Sequence, residues 1–264
     1  MLIDTHAHIH FDDFSGDLAE VFSNARASQV TSIITVGTMP QDSLKALEFV
    51  MSPETIAMAQ GIKLYATAGI HPHEASLGSD GLKVIGKLAR DSKYQGALVA
   101  IGECGLDYYR NNSPQAQQHD ALEFQLQLAQ ELELPLVFHV RDAWQDFFAV
   151  LGNYPKVRGV IHSFTGTTKE VEQALGYELY FGLNGIMSFT KDQAQLEAAK
   201  IIPTDRLLLE TDCPYLSPAP MRGQRNEPSF IKYTGEFLAE LRGEQYPELI
   251  SSTTTNAKAL FELK

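Results

Sequence analysis

The sequence predicts an α/β fold, a (β/α)8 TIM barrel in which residues 1–264 form a single domain with an extra C-terminal helix. Three observations lead there. Short runs rich in β-branched residues alternate with segments of helical periodicity. Eight such runs can be counted, with ends near residues 8, 37, 70, 102, 139, 162, 183 and 212, the spacing of repeated strand–helix units. The chain length of 264 residues also matches the roughly 250 that such a barrel uses.

The predicted strands are Leu2–His6, Thr31–Gly37, Leu64–Ile70, Ala97–Gly102, Leu136–His139, Val160–His162, Glu178–Leu183 and Arg206–Glu210. They are short and nearly continuous in apolar residues, as strands buried on both faces are. Between them lie amphipathic stretches such as Asp13–Ser28, Gln41–Met51, Pro114–Leu132 and Lys191–Ile201. Leu122, Leu126 and Ala129 carry the apolar face of the third, with Gln and Glu opposite. The tail from Tyr246 to Lys264 reads as one more helix, expected on the outside of the barrel. No Pro/Gly/Ser-rich linker separates a second domain. Strand count alone leaves a doubly wound open sheet as the alternative.

Composition removes several classes. Apolar residues make up 44% and charged residues 20%, enough buried surface to offset chain entropy, so the chain is not disordered. No apolar run reaches the roughly 20 residues of a membrane span. The net charge of −12 argues against a broad basic face for nucleic acid. The first basic residue is Arg26, so no signal peptide is read, and a cytoplasmic location without membrane attachment is expected. Cys104 and Cys213 form no secreted framework and read as small buried apolar residues.

In either architecture the chemistry belongs at the carboxyl ends of the strands. His6 and His8 end the first predicted strand, Glu103 follows the fourth, and His139, His162 and Asp212 follow the fifth, sixth and eighth. His6 and His8 are two apart on a strand, so both imidazoles face one side. Each residue alone has a plain structural reading. Together they would leave several buried polar groups uncompensated at one mouth. Four His and two carboxylates suit a dinuclear divalent-metal site, with one carboxylate bridging. Imidazoles favour Zn2+ or another transition metal, whereas Mg2+ prefers oxygen.

Around this set lie groups suited to an anion. His71 and His73 flank Pro72 after the third strand, so the rings are expected to diverge, with at least one facing the mouth for a phosphate contact. Arg141 follows His139, and Arg222 and Arg225 lie in the loop after the eighth strand, a common phosphate site in barrels. The Ser163–Gly166 backbone offers N–H groups to an anion. Tyr108, Tyr109, Phe164 and Tyr215 either stack on bases or roof the barrel. Asp4 and Glu210 sit two residues before His6 and Asp212 and are expected to orient those ligands.

The segments Asp4-Thr5-His6-Ala7-His8, Gly69-Ile70-His71-Pro72-His73, Ile101-Gly102-Glu103-Cys104-Gly105-Leu106-Asp107-Tyr108, Phe138-His139-Val140-Arg141-Asp142-Ala143, His162-Ser163-Phe164-Thr165-Gly166, Leu209-Glu210-Thr211-Asp212-Cys213-Pro214-Tyr215-Leu216 and Arg225-Asn226-Glu227-Pro228 resemble those of the TatD family of metal-dependent deoxyribonucleases. The resemblance runs from the first strand to the last loop. It implies a TIM barrel of the metal-dependent hydrolase superfamily and a nuclease acting on DNA ends, often 3′ to 5′, with a role in DNA repair or degradation. It implies His6, His8, Glu103, His139, His162 and Asp212 as metal ligands, with Glu103 bridging and His71 near the scissile phosphate. Two divalent ions, Mg2+ or Mn2+ in use, and single-stranded or frayed DNA are the expected cofactor and partner. Asp212 and Glu103 are the expected catalytic residues, and His71, His73, Arg141 and Arg225 the expected substrate contacts. A hydrolase of a small phosphate ester, lactone or amide on the same barrel is the rival reading, since a barrel does not fix a substrate.

Overall fold

Eight parallel strands follow one another around a barrel in the computed structural model, which describes residues 1–264. They are β1 (Leu2–Ala7), β2 (Val30–Thr35), β3 (Lys63–Ala68), β4 (Leu98–Asp107), β5 (Leu136–Arg141), β6 (Gly159–Ile161), β7 (Tyr180–Leu183) and β8 (Leu207–Leu209). Each pairs in parallel with the next. The ring closes where Asp212 N donates to His6 O and His8 N donates to Cys213 O, both at 2.8 Å. Closure excludes the open sheet, because an open sheet would leave β1 and β8 apart.

Ten helices cover the barrel: α1 (Leu18–Ala27), α2 (Pro40–Met51), α3 (Pro53–Ala59), α4 (Gly78–Arg90), α5 (Gln115–Leu132), α6 (Trp144–Leu151), α7 (Thr168–Leu175), α8 (Gln193–Ile201), α9 (Ile231–Arg242) and α10 (Tyr246–Phe261). None is long and apolar enough to cross a membrane. The helix layer and the outer strand faces form one apolar core of 58 buried residues. A second cluster takes residues from around the ring, including Ile3, Ile34, Tyr65, Val99, Val137, Val160 and Leu208, with Tyr180 packed against it. With every strand contributing, this cluster is the barrel interior. Ala257, Leu260 and Phe261 of α10 belong to it. The C-terminal helix therefore does more than lie on the outside: its last turns close the amino-terminal end of the barrel.

The fourth strand runs five residues beyond its expected end, to Asp107. Gly102 and Gly105 are poor strand residues, so the strand pattern fades where the strand in fact continues. Pairing resumes beyond an irregularity between Ile101 and Cys104 and continues to Asp107 opposite Arg141. Gly105 has φ of 143°, and a Cβ there would lie 1.9 Å from His139 O, so only glycine lets β4 and β5 approach. Glu103 consequently sits within a strand, rigidly held, rather than on a loop.

Candidate active site at the barrel mouth

The carboxyl ends of the strands surround a cleft of about 460 Å³, lined among others by His8, His71, Glu103, His139, His162 and Asp212. His6 lies just beneath and is 1% exposed. Glu103 is the hub. Its Oε2 stands 3.5 Å from His6 Nε2, and its Oε1 stands 3.5 Å from His71 Nε2, 3.0 Å from His139 Nδ1 and 3.9 Å from His162 Nε2. Asp212 faces the other side of the cluster, its Oδ1 3.4 Å from His8 Nε2, 3.7 Å from His6 Nε2 and 3.9 Å from His162 Nε2. All six residues expected to hold metal thus converge on one place.

The donor set fits divalent cations. Three overlapping groups could each hold an ion: His6, His8 and Glu103; His6, His162 and Asp212; His71, Glu103 and His139. Both ring nitrogens of His6 are buried without a hydrogen-bond partner, which is costly unless something takes up the lone pair of one and the N–H of the other. The His6 and His162 rings stack with centroids 3.4 Å apart. Burial would raise the Asp212 and Glu103 carboxyls, but the facing imidazoles hold both below their ordinary range. His162 is pushed up to about 10, burial being outweighed by Glu210, Glu103 and Asp212. This cluster carries closely apposed acids and bases that a cation would organise.

Neighbouring residues hold the candidate ligands in place. His8 Nδ1 is 2.9 Å from Val36 O, leaving Nε2 toward Asp212. Asp4 is fully buried and accepts from Thr211 N at 2.9 Å and Thr211 Oγ1 at 2.6 Å, tying β1 to the segment that carries Asp212. Burial raises Asp4 to about 7, against the hydrogen bonds from Thr211. Glu210 accepts from Ser163 N at 2.8 Å and Asn184 Nδ2 at 3.0 Å and stands 2.8 Å from His162 Nδ1. Asp4 and Glu210 therefore hold the strand ends that present His6, His162 and Asp212.

Several substrate-contact expectations change. His71 and His73 do not diverge: a 3-10 turn (Pro72–Leu77) swings the second ring back, leaving the centroids 4.3 Å apart, with both residues lining the cleft. Arg141 lines the cleft as expected. Arg225 does not, because Asp17 holds its guanidinium at 2.6 and 3.1 Å, with a further bond to Asp13 O and the Phe14 ring beneath. Arg222 lies over the Phe189 ring and bonds Ser217 O. Two of the Ser163–Gly166 amides are not free for an anion, since Ser163 N serves Glu210 and Phe164 N serves Gly182 O. Phe164 is a core residue at 2% exposure. Tyr108 packs at the rim, donating to Asp146 Oδ2 at 2.7 Å.

Four residues escaped the sequence reading. Asp107 Oδ2 stands 2.8 Å from His73 Nε2 and 3.1 Å from His139 Nε2, and so joins both rings. Its signal was available: it lies four residues beyond Glu103, on the same strand face. Arg110 lines the cleft beside it. His10 is buried between Thr35 Oγ1 at 2.6 Å and Asp42 Oδ1 at 2.8 Å. Asn226, fully buried, donates its amide to Thr211 O at 2.8 Å and Tyr215 O at 2.5 Å, bracketing Asp212. The last two act across the fold, with no local pattern to announce them.

A closed barrel with His, Glu and Asp side chains gathered at its mouth defines a metal-dependent hydrolase. The family described as TatD related DNase matches residues 3–262, and the chain belongs to it. The chain is 38% identical over 266 residues to the uncharacterized metal-dependent hydrolase YabD of Bacillus subtilis (strain 168), covering 100% of each. It is 37% identical over 270 residues to the 3′-5′ ssDNA/RNA exonuclease TatD of Erwinia tasmaniensis, covering 99% of this chain and 100% of the relative. Among solved structures, YJJV, a TatD homolog from Escherichia coli k12, superimposes with a TM-score of 0.89 at 27% identity, covering 100% of this chain and 98% of that one.

Proposed function

We propose that residues 1–264 act as one catalytic domain that hydrolyses phosphodiester bonds at DNA ends, in the 3′-to-5′ direction, in DNA repair or degradation in the cytoplasm. The observation that carries this reading is Glu103, whose two carboxylate oxygens face different imidazoles across a mouth also lined by Asp212. That arrangement suits a carboxylate shared between two divalent ions, with His6, His8, His139, His162 and Asp212 completing the set. Mg2+ or Mn2+ in use, or a bound transition metal such as Zn2+, would supply charge to the phosphate oxygens and acidify the attacking water.

The chain's own residues do the rest. Asp212, held ionised, accepts the proton of that water as its oxygen attacks phosphorus in line, while the P–O bond on the opposite face breaks and the departing sugar oxygen takes a proton from solvent. Glu103 fixes the floor against which the phosphate rests. His71 and His73 face the non-bridging oxygens and offset charge in the transition state, and Arg141, lining the same cleft, is placed for a phosphate contact. Asp107 keeps the His73 and His139 rings turned inward. The exonuclease name of the Erwinia relative supports a single-stranded or frayed nucleic-acid end as substrate.

The test is an end-labelled single-stranded DNA assay with Mg2+, Mn2+ and Zn2+, run beside a panel of lactones and amides. Wild type should shorten DNA from the 3′ end, and Asp212→Asn and Glu103→Ala should lose at least a thousandfold while melting cooperatively. Turnover of a lactone or amide with no cleavage of DNA would overturn the reading.

A further inference from the structure

The mouth has two chemically different walls. β1 and β8 are neighbours in the closed ring, and β4 and β5 lie opposite them. On the β1–β8 side stand Phe11 and Tyr215. Phe11 stacks on the His8 ring with centroids 4.8 Å apart, and Tyr215 stands edge-on to the same ring at 6.3 Å. Tyr215 is 55% exposed, although it is large and partly apolar. On the β4–β5 side stand Arg110 and Arg141, both lining the cleft. Arg141 lies over the Tyr109 ring with its guanidinium carbon 4.1 Å from the centroid, and Arg110 lies 5.7 Å from the same ring. Neither guanidinium has an ion pair or a side-chain hydrogen bond, whereas Arg90, Arg158, Arg225 and Arg242 pair with carboxylates, Arg26 and Arg222 bond backbone carbonyls, and Arg206, also unpaired, lies over the Tyr180 ring and does not line the cleft.

In a chain of net charge −12, two uncommitted arginines side by side at a cleft are a local exception. Tyr109 holds them without neutralising them, since a ring attracts a cation but leaves its N–H donors free. The ligand on that wall is an anion. The opposite wall offers an aromatic face, which suits a flat π-system. The floor between them holds the candidate catalytic carboxylates.

Resting on the phosphodiesterase reading above, we propose that the substrate is an oligonucleotide bound across the mouth. One base stacks on Tyr215, the scissile phosphate lies over Glu103 and Asp212, and the next phosphate is held by Arg110 and Arg141. The enzyme therefore reads a base and a second phosphate together, and a small diester lacking both uses only the floor. Stacking is tolerant of base identity, so the site discriminates by chain length rather than by sequence. Two arginines also imply a shallow dependence of binding on salt.

The experiment compares kcat/KM for a single-stranded 12-mer, a dinucleotide and an abasic dinucleotide, a diester of two base-free deoxyriboses, in wild type, Tyr215→Leu, Tyr215→Phe and Arg110→Gln/Arg141→Gln. In Tyr215→Leu the ratio of 12-mer to abasic dinucleotide should fall about tenfold, as loss of one stacked base implies, and Tyr215→Phe should keep it. In the double arginine variant the preference for the 12-mer over the dinucleotide should fall about tenfold. A 12-mer carrying 2-aminopurine at its cleavable end should be quenched on binding Asp212→Asn but not Asp212→Asn/Tyr215→Leu. If wild type cleaves the 12-mer and these ratios stay within twofold, the two-wall mode is overturned and the phosphodiesterase reading stands. If wild type hydrolyses only the small diester, both are overturned.

Discussion

Glu210 Oε1 lies 2.8 Å from His162 Nδ1, so the other nitrogen of that ring points at Glu103 and Asp212. The carboxylate fits there because residue 182 is glycine: a Cβ at Gly182 would meet Glu210 Oε2 at 2.2 Å. Groups that orient a ligand from behind contribute to metal affinity almost as the ligands do. Glu210→Gln should therefore weaken divalent-ion affinity by about 10- to 100-fold, measured by competition with a chelating dye. Gly182→Ala, which displaces the carboxylate without changing its charge, should move the affinity in the same direction. Wild-type affinity in both variants would reduce Glu210 to a packing role.

Asp212 adopts a left-handed backbone conformation, φ 58°, which a non-glycine residue holds only under constraint. Asn226 supplies part of that constraint by binding the carbonyls of Thr211 and Tyr215 on either side. Asn226→Ala leaves those acceptors without their amide donor, at a cost of about 1–3 kcal/mol for each buried group. The variant should melt earlier yet cooperatively, and at saturating metal its kcat should fall at least tenfold with little change in KM. A rise in KM alone would place Asn226 in substrate binding instead.

The barrel was legible because each strand carries its own signal, and because eight short buried runs at regular spacing have few ways to close. The six-residue cluster was legible for the same reason: strand ends define the mouth, and His, Glu and Asp at those ends are conspicuous. Length of β4 was not legible, since Gly102 and Gly105 read locally as breaks while the close approach to His139 demands them. Arg225 looked like a phosphate ligand by its position in the β8 loop, but its partner Asp17 lies 208 residues away in sequence. Such tertiary pairing decides which loop cations remain available, and nothing in the local pattern reports it. Tail residues Leu260 and Phe261 were readable as apolar, but not as the closure of the barrel interior.

Removing divalent ions should destabilise the protein measurably. Without a cation the mouth keeps the buried carboxylate of Glu103, the part-buried one of Asp212 and a ring of imidazoles, with both His6 nitrogens unpartnered. An ion that binds the folded state alone stabilises it by about 2.7 kcal/mol at a hundred times its dissociation constant. Urea titrations in chelator and in excess Mn2+ should differ by at least that amount. The difference should largely vanish in Glu103→Ala, whose loss removes the hub of the cluster. Equal midpoints for wild type in both buffers would argue against a metal centre.

At the start of α7, Thr167 and Glu170 form a reciprocal cap: Glu170 Oε2 accepts from Thr167 N at 2.8 Å, and the Thr167 hydroxyl accepts from Lys169 N at 3.3 Å. Partial burial would raise the Glu170 carboxyl, but the bonds from Thr167 outweigh it and hold the pKa below the ordinary 4.5. The folded protein thus binds fewer protons at this site than the unfolded chain does. The stabilisation is fully present above pH about 4.5 and is lost as pH falls through the depressed folded value. Glu170→Gln keeps an acceptor of the same shape but has no charge to lose. Wild type should therefore exceed the variant by roughly 0.3–1 kcal/mol near neutrality, the worth of a negative charge in the first turn of a helix. Urea midpoints of the two proteins should converge as pH falls through the depressed folded value and Glu170 becomes protonated in both states. A gap that stays unchanged across the acid limb would show that the carboxylate's charge contributes nothing to the cap.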